Sequence, residues 1–190
     1  MTYDASLLTR TIATGASPAT VTRSYNSDMR MASRTINATP ATAFAYSADG
    51  QLTSAGPLAL AYSATTGQLT GTTLGATAAS WNYDTFGAPV SQATALAGSD
   101  VMRTTYQRDR LGRITTRTET IGAQTHTFAY SYDAPGRLAE VQKDGAVVES
   151  YTYDQNGNRT TGPGTTTATY DAQDRMTAYG DTTYTYSPSG

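Results

Sequence analysis

The stretch Tyr132-Asp133-Ala134-Pro135-Gly136-Arg137-Leu138 is followed by a second version of itself, Tyr153-Asp154-Gln155-Asn156-Gly157-Asn158-Arg159. Each version has an aromatic residue two positions before the Tyr, a Gly four positions after it, and then a basic or amide residue. A unit that recurs along a chain cannot bury its own apolar face and stacks on its neighbours. The stretch therefore predicts a repeat architecture. It also argues against an enzyme, because catalysis needs a few unlike groups at one place.

Weaker copies of the unit recur roughly every twenty residues through the rest of the chain, within the range typical of repeat proteins. The Tyr residues that mark the copies are Tyr3, Tyr25, Tyr46, Tyr62, Tyr83, Tyr106, Tyr132, Tyr153, Tyr170 and Tyr186. The Gly that follows is Gly50, Gly67, Gly87, Gly112, Gly136, Gly157 or Gly190, and Met29 and Asp174 take its place in two copies. The positions assigned to repeat structure are Tyr46, Gly50, Tyr83, Gly87, Tyr132, Asp133, Gly136, Arg137, Tyr153, Asp154, Gly157, Arg159, Tyr170, Asp171 and Arg175.

Each copy predicts a strand, a tight turn and a return strand. Aromatic residues two apart, such as Trp81 and Tyr83, fall on one face of a strand, and the residues between them face the other way. An Asp after the Tyr can accept backbone hydrogen bonds across a turn, and Gly tolerates the positive φ that such turns require. Asp144-Gly145 and Gly162-Pro163-Gly164 are further turn signals between copies. No stretch keeps a helical period, so the sequence predicts an all-β chain of local antiparallel hairpins with tips at Gly50, Gly87, Gly136 and Gly157.

Composition excludes several other classes of protein. The 190 residues are 38% apolar and carry a net charge of −2 with no basic block, which argues against a nucleic-acid-binding surface. No apolar run approaches the roughly 20 residues of a membrane span. The absence of Cys rules out disulfides. Abundant Thr, Gly and Tyr resemble the composition of exported surfaces, so we expect a secreted or cell-surface location, although this chain carries no signal segment.

The Tyr-Asp-x-x-Gly-Arg-Leu unit resembles the YD repeat of Rhs proteins, teneurins, wall-associated bacterial proteins and the shell subunits of insecticidal toxin complexes. Matching copies run from about Tyr25 to Gly190. The resemblance implies hairpins that pair side by side into a curved sheet, a segment of a spiral hollow shell. It further implies that the shell encloses or displays a polymorphic toxin or effector domain, without catalysing a reaction itself.

The resemblance also sets expectations for domain organisation and partners. We expect residues 1–190 to form a single YD-repeat array of about ten hairpin units, with a degenerate first unit and a truncated last one. Neither a shell-closing motif nor a toxin domain is recognisable in the sequence. The expected partners are therefore the remainder of a larger shell and an enclosed toxin domain, with no nucleic acid and no cofactor.

Two local patterns invite a more specific interpretation. His126 is the only His; with no second His or Cys to share a metal, it reads as a partly buried strand residue. Asp154, Asn156 and Asn158 offer oxygen ligands at alternate positions, like the opening of a calcium loop. The distal Glu of such a loop is missing, and the same residues fit a turn with Asn-Gly at its tip, which we favour.

The recurring Tyr residues could form a platform for carbohydrate, because aromatic faces stack on sugars. Since they recur in every copy, a packed ladder of Tyr from successive hairpins is the stronger reading. Carboxylate pairs such as Asp171 with Asp174, or Glu140 with Glu149, have no framework that would hold them for glycoside chemistry. The alternative to a shell is therefore a cell-surface adhesion module that binds a carbohydrate or a protein.

Overall fold

The computed structural model describes residues 1–37 and 39–187. The expected turn Gly at position 190 lies outside these residues. The described chain is nearly all β, with one short 3-10 helix at Pro163–Thr165. The strands are β1 (Thr2–Asp4), β2 (Leu7–Ala13), β3 (Ala19–Tyr25), β4 (Met31–Ile36), β5 (Thr42–Tyr46), β6 (Leu52–Ala55), β7 (Leu58–Tyr62), β8 (Leu69–Leu74), β9 (Thr77–Tyr83), β10 (Pro89–Leu96), β11 (Ser99–Arg108), β12 (Ile114–Ile121), β13 (Gln124–Tyr132), β14 (Leu138–Lys143), β15 (Ala146–Ser150), β16 (Ala168–Tyr170), β17 (Met176–Tyr179) and β18 (Thr182–Thr183).

Strand pairing follows the order of the chain. β1 to β15 form one fifteen-stranded antiparallel sheet in sequence order, and β16 to β18 form a second sheet in the same manner. Between these sheets, Tyr153 pairs with Arg159 in an isolated bridge, so the 153–159 copy closes a hairpin too short to count as two strands. The prediction of local antiparallel hairpins is confirmed.

Two kinds of turn recur between the strands. The turn between β13 and β14 spans Asp133 to Arg137, and the register slips at Tyr132, which pairs with Leu138. The other kind has two residues, as between β14 and β15, where Asp144 (φ 51°) and Gly145 (φ 83°) both adopt positive φ. Positive φ at both central residues suits a tight hairpin because its twist matches that of the strands.

The copy marked by Tyr106 corrects the sequence analysis. Asp109 N–H donates to Arg113 O at 3.0 Å, and Gly112 N–H donates to Asp109 O at 3.0 Å. This is the pattern that Asp133 and its turn display, so the residue equivalent to Tyr132 is Arg108, which pairs with Ile114. The prediction that Tyr106 opens this turn is wrong, because Gly112 follows Arg108 by the usual four residues.

The described sheets have very little buried interior. Among the described side chains, only those of Ala93, Val141, Ala168 and Thr104 are buried. No large described side chain is fully buried. Along β13 the burial alternates, with half-buried residues at the aromatic positions and exposed residues between them. Alternation of this kind is what a single-layered sheet with one more apolar face produces.

The chain divides into two compact units. The first comprises Met1–Ala88 and Gln92–Asp100, and the second comprises Pro89–Ser91 and Val101–Gly190. Both are built from the same hairpin. That residues 1–190 act as a single array of about ten hairpins stays a prediction.

Candidate functional site

The repeated feature that links one hairpin to the preceding one is a hydrogen bond from the Tyr hydroxyl. Each donates to a backbone carbonyl at the start of the preceding return segment; the acceptor is the first residue of a strand in six cases, the second residue of β2 in the case of Leu8, and a residue of an isolated bridge in the case of Arg159. The pairs are Tyr25 to Leu8 (2.9 Å), Tyr46 to Met31 (3.0 Å), Tyr62 to Leu52 (2.9 Å), Tyr83 to Leu69 (2.8 Å), Tyr132 to Ile114 (2.7 Å), Tyr153 to Leu138 (2.8 Å), Tyr170 to Arg159 (3.0 Å) and Tyr186 to Met176 (2.7 Å). The hydroxyl explains why Tyr rather than Phe recurs at this position.

The copy that lacks this Tyr keeps the bond. Arg108 occupies the Tyr position, and its Nη2 donates to the carbonyl of Pro89 at 3.0 Å. Pro89 opens β10, the return strand that follows the turn at Gly87. An Arg therefore substitutes for the Tyr hydroxyl because both place a donor at the end of a long side chain.

The Asp after the Tyr closes the turn from within. Asp133 Oδ1 accepts the Arg137 N–H at 2.7 Å, and Asp133 Oδ2 accepts Arg137 Nε at 2.7 Å. Desolvation raises the pKa of the Asp133 carboxyl, but the Arg137 hydrogen bonds outweigh it and hold that pKa below its usual value. Asp109 with Arg113 and Asp171 with Arg175 repeat this geometry, and the same opposing causes leave the pKa of each carboxyl lowered.

The Arg of the turn reaches the next hairpin as well. The guanidinium of Arg137 lies 4.3 Å from the centre of the Tyr153 ring, while its Nε stays bonded to Asp133. Arg113 over Tyr132 (4.5 Å) and Arg175 over Tyr186 (4.8 Å) have the same arrangement. A cation above a Tyr face is attracted by the ring quadrupole. Each such Arg is thus held by its own turn and contacts the next repeat.

Gly is favoured at this turn position for two reasons, although Met29 and Asp174 occupy it in two copies with φ 60°. Gly136 has φ 93°, which side chains other than Gly rarely adopt. A Cβ on Gly136 would also lie 3.2 Å from Nη1 of Arg113 in the preceding repeat, and one on Gly50 would lie 2.2 Å from Nη2 of Arg30. The Gly therefore makes room for the long side chain that arrives from the preceding turn.

Some junctions use Gln in place of Arg. Where Ser47 replaces the turn Asp, Gln51 replaces the Arg, and its Nε2 donates to the Gly67 carbonyl at 2.7 Å. Gln68 likewise donates to the Gly87 carbonyl at 3.1 Å. The Asp and Arg positions therefore change together in these copies, and the Gln reaches the next turn without a charge.

Asp154, Asn156 and Asn158, the residues of the calcium-loop pattern, act as turn residues. Asp154 Oδ1 accepts the N–H groups of Asn156 (3.0 Å) and Asn158 (2.8 Å), and Oδ2 accepts Asn158 Nδ2 at 3.0 Å. The Asn158 side-chain hydrogen bond is the largest cause of the lowered pKa of the Asp154 carboxyl. Among the described residues no group of three or more His, Cys, Asp or Glu is placed to hold a metal ion.

Asp174, which stands where other copies have Gly, has a partner in the preceding repeat. It adopts φ 60°. Its Oδ1 accepts Asn156 Nδ2 at 2.8 Å and Asn158 Nδ2 at 2.7 Å. Asn158 holds the position of Arg137, and Arg159 holds that of Leu138. The carboxylate of Asp174 is stabilised at this position because the preceding turn directs two amide N–H donors at it.

His126 has a contact that the sequence analysis missed. It is half-buried on β13, and its Nδ1 lies 2.7 Å from Asp144 Oδ2 across the next hairpin. Asp144 Oδ1 also accepts the Thr127 N–H at 2.8 Å, and this backbone bond is the first of the causes that lower the pKa of the Asp144 carboxyl, followed by the bond to His126. An Asp-Gly turn one hairpin further on was the only sequence signal for this pair.

The carboxylates considered for glycoside chemistry are each engaged elsewhere. Asp171 is paired with Arg175, and Glu140 accepts the Gln142 amide at 2.7 Å. Glu149 accepts the hydroxyl of Tyr151, and Val141 rather than Glu140 lies opposite it. No helix in residues 1–37 and 39–187 is long and apolar enough to cross a membrane.

Comparison with known families gives a match over the whole chain. The family model described as Teneurin YD-shell matches residues 1–190. Over 93 residues, 45% of this chain, the sequence is 37% identical to Teneurin-3 of Mus musculus and 38% identical to Teneurin-3 of Danio rerio. The aligned segment spans 3% and 4% of those proteins, so this chain corresponds to a small part of such a relative.

Solved structures with a similar fold come from toxin complexes. The structure of TcdB2-TccC3 without its hypervariable C-terminal region superposes with a TM-score of 0.67 at 16% identity, covering 87% of this chain and 10% of that chain. The Tc holotoxin pore of Photorhabdus luminescens gives a TM-score of 0.60 at 15% identity, covering 87% of this chain and 11% of that one. At these identities the likeness concerns the fold.

Proposed function

Because the chain belongs to the Teneurin YD-shell family, we propose that it is a non-catalytic segment of the wall of a larger YD-repeat shell. In this proposal the wall encloses or displays a toxin or effector domain, and the chain's partners are the remaining repeats of the shell and that domain. A secreted or cell-surface location belongs to the same proposal.

The hydrogen bond from each Tyr to the preceding hairpin carries this proposal. In the copies marked by Tyr132 and Tyr153, the Tyr hydroxyl donates to a backbone carbonyl of the preceding repeat, so each hairpin satisfies a hydrogen-bond acceptor of the hairpin before it. An array built in this way extends by adding units, and its stability arises mainly between neighbours. The described sheet has almost no buried interior, as expected for a single-layered sheet that serves as a wall.

The similarity in fold to toxin complexes supports the proposal that the shell encloses or displays a further domain. One similar structure is that of a complex solved without its hypervariable C-terminal region. A shell of constant repeats joined to a variable region is what the proposal requires of the full-length protein.

Limited proteolysis of the full-length protein tests enclosure. We expect a domain carried with the shell to resist protease in the intact protein and to be digested once Tyr153→Ala weakens the wall. Thr85→Ala, at an exposed turn position, is the control and should leave the protection intact. Digestion of that domain at the same rate in the intact protein and in the Tyr153→Ala variant would contradict enclosure and leave display.

A second candidate function is adhesion by a β-repeat surface that recognises a carbohydrate or a protein. It is favoured by the exposed face of β13, where Thr127, Ala129 and Ser131 alternate with the half-buried aromatic residues. Binding of the full-length protein to cells, compared with a version that lacks residues 1–190, would test it. Equal binding by the two versions would exclude this array as the adhesive part.

A further inference from the structure

A cleft in the first unit lies between two successive turns. It has a volume of about 510 Å³, and Ser47, Asp49 and Gln51 of one turn face Tyr62 and Ser63 of the next across it. Thr53 on β6 and Leu60 on β7 are also part of its lining. The cleft therefore occupies the place where one repeat meets the following one.

At the junctions that contain Arg, this place is filled by a guanidinium. Arg137 lies 4.3 Å from the Tyr153 ring centre and Arg113 lies 4.5 Å from that of Tyr132. At residue 51 the side chain is Gln, and its amide is bonded to the Gly67 carbonyl. Within the part of the chain that the structure describes, no Arg or Lys lies over the Tyr62 ring.

The same cleft contains a carboxylate, Asp49, that forms no ion pair with a described residue, and the Arg30 guanidinium lies beside the neighbouring Gly50. At the Arg-containing junctions, the guanidinium is bonded to the carboxylate of the turn that carries it and stacked on the next Tyr. At this junction Ser47 takes the place of that turn carboxylate, the exposed Asp49 lies two residues further along the turn, and no described guanidinium lies over the Tyr62 ring.

We propose that the cleft between Asp49 and Tyr62 binds the side chain of an arginine supplied by another polypeptide. A guanidinium is planar and weakly hydrated, so it stacks on an aromatic face while its N–H groups bond a carboxylate. Ser47 and Ser63 also line the cleft, and their hydroxyl oxygens accept backbone N–H groups of their own turns. The ligand class is therefore an arginine-containing peptide, and the site goes beyond the role in a shell wall.

NMR titration of the 190-residue chain tests the site. The probe is the peptide acetyl-Gly-Arg-Gly-amide, and acetyl-Gly-citrulline-Gly-amide provides a neutral isostere. We expect the Arg peptide to produce saturable shifts at Asp49, Gln51 and Tyr62, and the citrulline peptide to produce none at the same concentration. Asp49→Asn should weaken binding by about twofold to fivefold, the range of an exposed ion pair.

A substitution that fills the cleft from within provides the sharpest variant. Gln51→Arg supplies the missing guanidinium and should abolish peptide binding. Gln68→Arg makes the same change one repeat later, outside the lining of this cleft, and should leave binding unchanged. Retained binding in Gln51→Arg, equal binding of the two peptides, or shifts produced by methyl glucoside but not by the Arg peptide would each overturn the proposal.

Discussion

Two junctions connect one repeat to the next with different side chains. In one, the charged Arg137 contacts Tyr153; in the other, the neutral Gln51 takes the place of the Arg before Tyr62. Both keep the Tyr hydroxyl bonded to the preceding strand, at 2.8 and 2.9 Å. The first adds an ion pair to Asp133 and a cation above the ring. The second has only an amide bonded to a Gly carbonyl. The comparison shows that the Tyr hydroxyl bond is the constant part of the junction and that the charged contacts are an addition to it.

Truncating the Tyr should have the largest effect, since it removes the constant part. Tyr132→Ala deletes a half-buried ring and the bond to Ile114 and should cost about 3 kcal/mol of unfolding free energy, the low end for aromatic truncation. Tyr3 is 56% exposed, and its hydroxyl points to the Met1 sulfur, so Tyr3→Ala should cost less than about 1 kcal/mol. Urea unfolding followed by tyrosine fluorescence compares them. Equal losses would mean that position in the array does not matter.

Exchanging the two junction types should have a smaller effect. Arg137→Gln removes the guanidinium and leaves Asp133 in place, and it should cost about 1 kcal/mol, because a partly buried ion pair and a cation–ring contact are both lost. The double change Ser47→Asp with Gln51→Arg should recover a similar amount in the first unit. Thermal unfolding of both variants is the measurement. A gain from Gln51→Arg alone as large as from the double change would show that the Asp contributes nothing.

The charged junctions should also make the protein acid-sensitive. The pKa of each carboxyl at Asp109, Asp133 and Asp171 is lowered in the fold. A folded pKa below the unfolded one gives stability that is present above the unfolded pKa and is lost as the pH falls through the folded pKa. The urea midpoint should therefore fall between about pH 5 and pH 2. Replacing all three with Asn should flatten that fall, and an unchanged slope would contradict this origin.

The fold was predictable because its signals are local and repeated. Alternating aromatics, an Asp that closes the turn and a Gly at positive φ each act within a few residues, so the hairpins and their tips follow from the sequence alone. The prediction at Tyr106 was wrong because several copies also have an aromatic residue two positions before the residue that opens the turn. Tyr106 is that earlier aromatic, and Arg108 opens the turn. The equivalence of Arg108 to Tyr depends on a hydrogen bond to Pro89, which only the register reveals.

The contacts between repeats were much harder to predict. The pairing of Asn158 with Asp174 and of His126 with Asp144 joins residues 16 and 18 positions apart. Each requires knowledge of which turn faces which, and neither pattern repeats along the chain. The contacts of Gln51 and Gln68 were also missed, because each side chain reaches a Gly carbonyl in the next turn.

Each Tyr hydroxyl should stabilise the hairpin that precedes it. Tyr132→Phe removes only that hydroxyl, and its bond to the Ile114 carbonyl is 2.7 Å long. Native-state hydrogen exchange of this variant should show faster exchange of the amides in the preceding turn, at Leu111, Gly112 and Arg113, with little change in the turn at Gly136. Faster exchange confined to residues 133–137, with the preceding turn unaffected, would contradict the claim.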